Sequence, residues 1–506
     1  MKVLVKNGKT TGASAKLWEC HELNFAKKSD EYICRFENNE NSLEARAFAR
    51  GEDLIAVRFM PQQLGRWNWQ LIAVGSDQAE LSGSFECEEA EEYNHGPVHV
   101  QDKYHFAYAD GTIYRPFGTT SYGWIHQPEE ITDQTLRSLA NSSFNKIRMC
   151  ILPHYSKWSR EHTAYFPFVQ LGEGWDFSKF DYRYFDRLDQ HMLALQKLGV
   201  EADLILLHPY NDEWGFNKMP SDVDDRYIEY VVRRYAAFSN AWWSLANEYD
   251  LLKEKSLDDW RRFGQIIARE DPYKHLCSNH NYIDFYDYTI PEMTHCCIQD
   301  GLAVKEDGRA VMLRNAWQKP VIYDEVCYEG TFDARWGDLD ELELAHRFWE
   351  GIAGGTYVGH GEVCPAPDKT DDEVWTGIGG ELRGNSPARI GFLRSVLEAG
   401  PNRGLEPIDR WWYTNIVGVP GEYYLFYFGR SSLVEIPFHF PSRDLELPDG
   451  TIFRADIIDT LDMKIIPVKG EFSTCRRNNY EYGDQDGRTI KMPDKPYLAL
   501  RLERVR

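Results

Sequence analysis

The chain has 506 residues, 42% hydrophobic and 27% charged, a balance that fits a folded globular protein and excludes a disordered one. At roughly 150 residues per domain it should hold two or three hydrophobic cores. A net charge of −23 repels phosphate backbones and anionic membrane surfaces, so neither nucleic acid nor membrane is an expected partner. No apolar run approaches the roughly 20 residues that cross a bilayer. Met1–Lys9 opens on basic residues without the apolar stretch of a secretory signal. The ten cysteines form no Cys-x-x-Cys pair. Together these features predict a cytoplasmic protein with reduced thiols. Aromatics reach 14%, with 16 Trp, 29 Tyr and 26 Phe, a surplus suited to β-rich cores and to stacking on sugar faces.

The first ninety-odd residues read as β. Leu43–Ala49 and Leu54–Phe59 alternate apolar and polar positions between turn residues, and Arg66–Leu71 places Trp67 and Trp69 on one face. An immunoglobulin-like β-sandwich is expected over 1–97, ending in a charged stretch at Glu86–Glu92. Tyr108–Thr112 then reads as a hairpin with an Asp-Gly turn.

From there strand-like segments alternate with helical patterns. The strand candidates are Pro116–Trp124, Lys146–Leu152, Val200–His208, Ala241–Asn247, His275–His280, Thr294–Gln299, Pro320–Glu325 and Thr356–His360. Phe185–Leu198 carries Leu188, Met192 and Leu195 on one helical stripe. Eight strand-then-helix units match the size of a (β/α)₈ TIM barrel, expected over 98–402. No G-x-G-x-x-G follows the first strand, which argues against a doubly wound sheet. The remainder, 403–506, returns to alternating strands and should form a second β-sandwich. The fold class is therefore α/β, a TIM barrel flanked by β-sandwiches.

The strands of a TIM barrel carry the active site at their C-terminal ends. Two carboxylates stand there. Glu248 ends the apolar run Trp242–Asn247, and Glu325 ends Val321–Asp324. They lie on the fourth and seventh strands, where one carboxylate can attack an anomeric carbon while the other protonates the leaving oxygen. Asp324 should point away from Glu325 by strand alternation. Asn247 is placed to hydrogen-bond a sugar 2-hydroxyl. Trp124, Tyr210 and Trp375 are candidates for stacking on sugar rings, and His208 and His280 for binding hydroxyls. Arg148 would orient Glu325, while Gln299 and His360 are candidates by position. No metal-binding or cofactor-binding motif is present, so neither a metal nor a cofactor is expected.

Here the sequence resembles a known family. Ala246-Asn247-Glu248 and Glu325 resemble the Asn-Glu and Glu signature of the large retaining glycosidase clan with (β/α)₈ barrels. Arg58–Trp69, Arg115–Thr120, Phe144–Cys150, Ser278–Asn281, Thr294–Gln299 and Ser386–Ile390 resemble the apiosidase-like proteins, whose barrel lies between small β-domains. The resemblance implies a retaining glycoside hydrolase with Glu248 as acid/base and Glu325 as nucleophile. The substrate would be a short oligosaccharide or plant-type glycoside, cleaved from its end. The rival expectation is a carbohydrate-binding protein on a degenerate barrel. Homo-oligomerisation through the flanking β-domains is one of the roles open to them.

Overall fold

The computed structural model describes residues 2–4, 14–29, 31–39, 41–155, 165–301, 307–366, 373–408, 415–442 and 445–505. Most of the opening stretch Met1–Lys9 lies outside them. The N-terminal region packs a four-stranded sheet against a five-stranded one. Gly65–Ala73 alternates between buried and solvent-facing positions, and Trp67 and Trp69 both enter the core between the sheets. Gly83 lies opposite Trp69, where a Cβ would come within 2.6 Å of the indole; only glycine leaves room for the ring. The alternation read over Leu43–Ala49 breaks at Ala47. Asn41–Arg46 pairs in one sheet and Phe48–Ala49 in the other, so the chain crosses between layers there.

The eight barrel strands are β1 (Gly118–Thr120), β2 (Lys146–Cys150), β3 (Glu201–Leu207), β4 (Ala241–Ala246), β5 (Cys277–Ser278), β6 (Cys296–Gln299), β7 (Val321–Glu325) and β8 (Tyr357–His360). They form one parallel sheet in which β1 pairs with β8, and the described residues of most of them are buried throughout. Burial on both faces explains why these strands read as nearly continuous apolar runs. The ring closes weakly between β5 and β6, through one bridge from His280 to Cys297. Side chains complete the seam: the Ser278 hydroxyl donates to the His295 carbonyl at 2.7 Å and accepts the Cys297 N–H at 3.1 Å.

The helices are α1 (Glu129–Ala140), α2 (Tyr182–Lys197), α3 (Ser221–Tyr235), α4 (Leu257–Glu270), α5 (Asp307–Trp317), α6 (Glu341–Ala353) and α7 (Ser386–Glu398), with a single further turn at Trp375–Ile378. Eight strand-then-helix units were expected, but β5 and β6 are joined by a loop without a helix. Asp250 organises that loop by accepting the backbone N–H groups of Tyr282, Ile283 and Asp284 at 2.5–2.9 Å. These bonds replace the internal ladder of a helix.

The hairpin read at Tyr108–Thr112 belongs to a three-stranded sheet that closes the N-terminal end of the barrel, where Phe106 and Tyr114 pack on Trp242. The C-terminal region has its own core around Phe438, Phe440, Phe453 and Phe472. It meets the barrel where Tyr427 stacks on Trp349 of α6. No helix among the described residues is long and apolar enough to cross a membrane.

A buried ion network joins the N-terminal sandwich to α2 and α3. Arg58 donates to Glu22 at 2.8 Å and to both carboxylate oxygens of Asp189, which Arg234 also grips at 2.9–3.0 Å. Arg58→Met would leave the Glu22 carboxylate buried without its main partner, and removing one member of such a network costs about 3–5 kcal/mol. A urea midpoint unchanged from wild type would show that the network does not hold these elements together.

Candidate active site

Glu248 follows β4 in a left-handed conformation, with φ of 49°. A glutamate there is strained, and such strain persists where the surroundings fix it. Here they do: the Tyr249 N–H donates to the His280 carbonyl at 2.9 Å, and the Leu251 N–H to the Glu248 carbonyl at 2.9 Å. The Glu248 side chain is 5% exposed and accepts hydrogen bonds from the Tyr210 hydroxyl and from Gln299. Burial, reinforced by the negative charge of Glu325, pushes its pKa up to about 8. At neutral pH this carboxyl carries a proton.

Glu325 ends β7 on the same rim. Between Cys297–Gln299 and Ile322–Glu325 the pairing gains one residue on β7, a β-bulge. Strict alternation would have turned Asp324 away from Glu325; the bulge lets both side chains reach the barrel interior at different depths. Asp324 sits lower, accepting from Lys146 at 2.7 Å and from the Cys297 thiol at 2.8 Å. Glu325 sits at the mouth, 3.5 Å from the Arg148 guanidinium, and accepts from the Tyr122 hydroxyl. Burial raises the Glu325 pKa, while Arg148, Tyr122 and Tyr328 pull it back. The charge acting most strongly on Glu248 is negative, and the one on Glu325 is positive. Of the two, Glu325 has a neighbouring cation that favours its ionised form, and Glu248 a neighbouring anion that favours its protonated form.

Both carboxylates line one cavity of about 350 Å³, with Tyr122, His154, Tyr210, Asn247, Gln299, Tyr328 and Trp336 among its walls. Residues 101–372 match the model of the apiosidase-like catalytic domain. The chain belongs to the apiosidase-like family. Residues 411–503 match a second model, a domain of unknown function (DUF5605). A crystal structure from Bacteroides vulgatus ATCC 8482, described as a candidate glycoside hydrolase, superposes with a TM-score of 0.91 at 34% identity, over 98% of this chain and 100% of that one. A glycoside hydrolase family 5 structure from the same organism shares the fold, with a TM-score of 0.60 at 14% identity over 81% of this chain and 94% of that one. No curated protein matches the chain in sequence.

This apiosidase-like protein is thus a glycoside hydrolase acting on a carbohydrate. Of the residues singled out in the sequence, Glu248, Glu325, Asn247, Tyr210 and Gln299 line the cavity. Arg148 lies beneath it, donating to the Asn247 side-chain oxygen at 3.1 Å and standing 3.6 Å from Asp203. One guanidinium therefore fixes Asn247 and Glu325 together. His280 is fully buried; its Nδ1 accepts the Glu248 N–H at 3.4 Å, and its Nε2 lies 3.8 Å from Glu325.

Besides Arg148 and His280, four more candidates fall outside the cavity walls. His208 is fixed by backbone, with Nε2 against the Leu152 carbonyl at 3.0 Å and Nδ1 accepting the Tyr210 N–H at 3.2 Å, so it positions Tyr210 instead of meeting sugar. Trp124 is fully buried against His191 of α2. Trp375 is equally buried and donates to Thr119 at 2.8 Å. His360 is buried on Phe144. Apolar burial claimed the two indoles that were expected to stack on sugar.

Other aromatics line the cavity. Trp336, in the loop after β7, stands edge-on to Tyr328 and Phe332 and presents a partly exposed indole to the cavity, while Tyr282 is 43% exposed at its mouth. Tyr122 and Tyr328 lie two or three residues beyond the ends of β1 and β7. An aromatic just past a strand end was the available signal. His154 stacks on Tyr122 at 5.0 Å and is also a cavity wall. Glu329, His360 and Glu362 converge nearby, with ligand atoms within 4.8 Å of one another.

The pH dependence follows from the charges. Glu248 must carry its proton to act as an acid, so kcat/KM should fall as pH rises through about 8. The Tyr210 hydrogen bond favours the ionised form of Glu248. Tyr210→Phe should therefore raise the Glu248 pKa further and move the alkaline limb to higher pH. A limb that stays in place would assign that ionisation to another group.

Proposed function

We propose that this protein is a retaining glycosidase that removes a sugar from the end of a short oligosaccharide or plant-type glycoside. Glu325 attacks the anomeric carbon, and Glu248 protonates the departing oxygen. Glu248, now anionic, then takes a proton from water, which displaces Glu325 from the glycosyl-enzyme. The observation that carries this reading is a pair of carboxylates in one cavity with opposite neighbouring charges: Glu325 beside the Arg148 cation, and Glu248, raised to about 8 by burial and by the Glu325 charge. Asn247, held by Arg148, would hydrogen-bond the 2-hydroxyl as positive charge develops on the ring, and Trp336 would stack on a sugar face.

The experiment is a panel of aryl glycosides, pyranosides and furanosides with an apioside among them, with the first-formed product anomer followed by NMR. Retention of configuration supports the double displacement. Inversion would mean that Glu325 activates water instead of attacking carbon.

A further inference from the structure

We propose that Glu329, His360 and Glu362 bind a divalent metal ion of the zinc or manganese class, outside the reaction cavity. Their ligand atoms lie within 4.8 Å of one another, and the three residues are at most 5% exposed. The fold brings them together in three ways. His360 ends β8, Glu362 follows two residues later, and a two-residue parallel ladder sets Glu329 directly beside Glu362.

The residues leading into α7 hold the two carboxylates. Arg383 and Gly384 donate their N–H groups to Glu362 at 2.6 and 3.0 Å, and Asn385 and Ser386 donate to Glu329 at 2.7 and 2.9 Å. A Cβ on Gly384 would collide with both carboxylates, so a glycine preserves the space. Each carboxylate oxygen accepts one amide, and a carboxylate offers about four lone-pair sites, so both keep acceptor capacity.

The amides account for the carboxylates but not for the imidazole. His360 is 0% exposed, and its Nε2 has no hydrogen-bond partner among the described residues. That atom lies 3.7 Å from Glu362 Oε2, beyond hydrogen-bond reach for an N–H donor. In the other tautomer its lone pair faces two acidic groups. A cation between them satisfies all three. Ligand atoms about 2.0–2.2 Å from a tetrahedral zinc ion lie about 3.3–3.6 Å apart, close to the 3.7 Å between His360 Nε2 and Glu362 Oε2. The far side of the ring is anchored 2.9 Å from the Thr119 hydroxyl, which also accepts the Trp375 indole N–H; donation from Nδ1 to that oxygen would leave the Nε2 lone pair for the metal. One imidazole with two carboxylates suits zinc or manganese better than calcium or magnesium.

The ion would be structural. It would tie the end of β8 to the loop after β7 and to the start of α7. Thr376, a cavity wall, exchanges hydrogen bonds with the Glu362 backbone at 2.8 and 3.0 Å, so the site braces that wall.

The test strips the full-length protein with chelator, reloads it with ZnCl₂ or MnCl₂ and removes excess metal by dialysis. Elemental analysis should find one ion per chain, and Tm should rise by a few degrees over the stripped protein. His360→Ala and Glu362→Gln should each cut the retained metal at least tenfold. X-ray absorption of the zinc form needs no variant to fold, and should show nitrogen and oxygen ligands with no sulfur shell. Failure to retain metal with an unmoved Tm, wild-type stoichiometry in His360→Ala, or a zinc–sulfur shell would each overturn the site.

Discussion

Glu325→Gln should fold and lose about 10⁴-fold or more of its turnover. An amide cannot form the glycosyl-enzyme, and removing a group that makes and breaks the covalent bond is among the largest single losses an enzyme shows. The fold should survive because the neighbours of Glu325 have other partners. Arg148 also bonds Asn247 and stands near Asp203, and an amide oxygen can still accept from Tyr122. The measurement is kcat on the best aryl glycoside alongside Tm. A variant with near wild-type Tm and more than a tenth of wild-type turnover would remove Glu325 from the chemistry.

Glu248→Ala should produce a different pattern, and the contrast separates the two roles. Losing a general acid costs about 10²–10⁴-fold when the leaving group needs a proton. A dinitrophenyl leaving group needs none, so the first step should stay fast while the second stalls for want of a base. Azide, already anionic, should then rescue turnover and yield a glycosyl azide of retained configuration. If azide changes neither rate nor product and no intermediate accumulates, another residue is the acid/base. Both experiments probe the conditioning seen in the structure, in which Arg148 favours the anion of Glu325 while burial and Glu325 itself keep the proton on Glu248.

The barrel could be read from the sequence because its physics is local. Strands buried on both faces must be apolar, and the one polar group ending such a run stands out. Ala241–Ala246 and Val321–Glu325 each announced a carboxylate at a strand end, and parallel strands fix which end that is. Other features depended on contacts that no local pattern encodes. The bulge that brings Asp324 and Glu325 to the same side needs β6 alongside β7 before it exists. The missing helix between β5 and β6 follows from Asp250, which collects three amides from residues more than thirty positions away.

The sequence by itself determined the (β/α)₈ architecture and a pair of strand-end carboxylates on one rim, because strand periodicity and chain direction suffice for those. The tertiary structure alone decided which aromatics line the cavity. Trp124 and Trp375 were drawn into the packing between strands and helices, where burying a large apolar ring is favourable, and the loop after β7 brought Trp336 to the cavity instead. It also decided that Glu329, in the loop after β7, sits beside Glu362 and near His360 at the end of β8, a meeting of two chain segments made by a short parallel ladder.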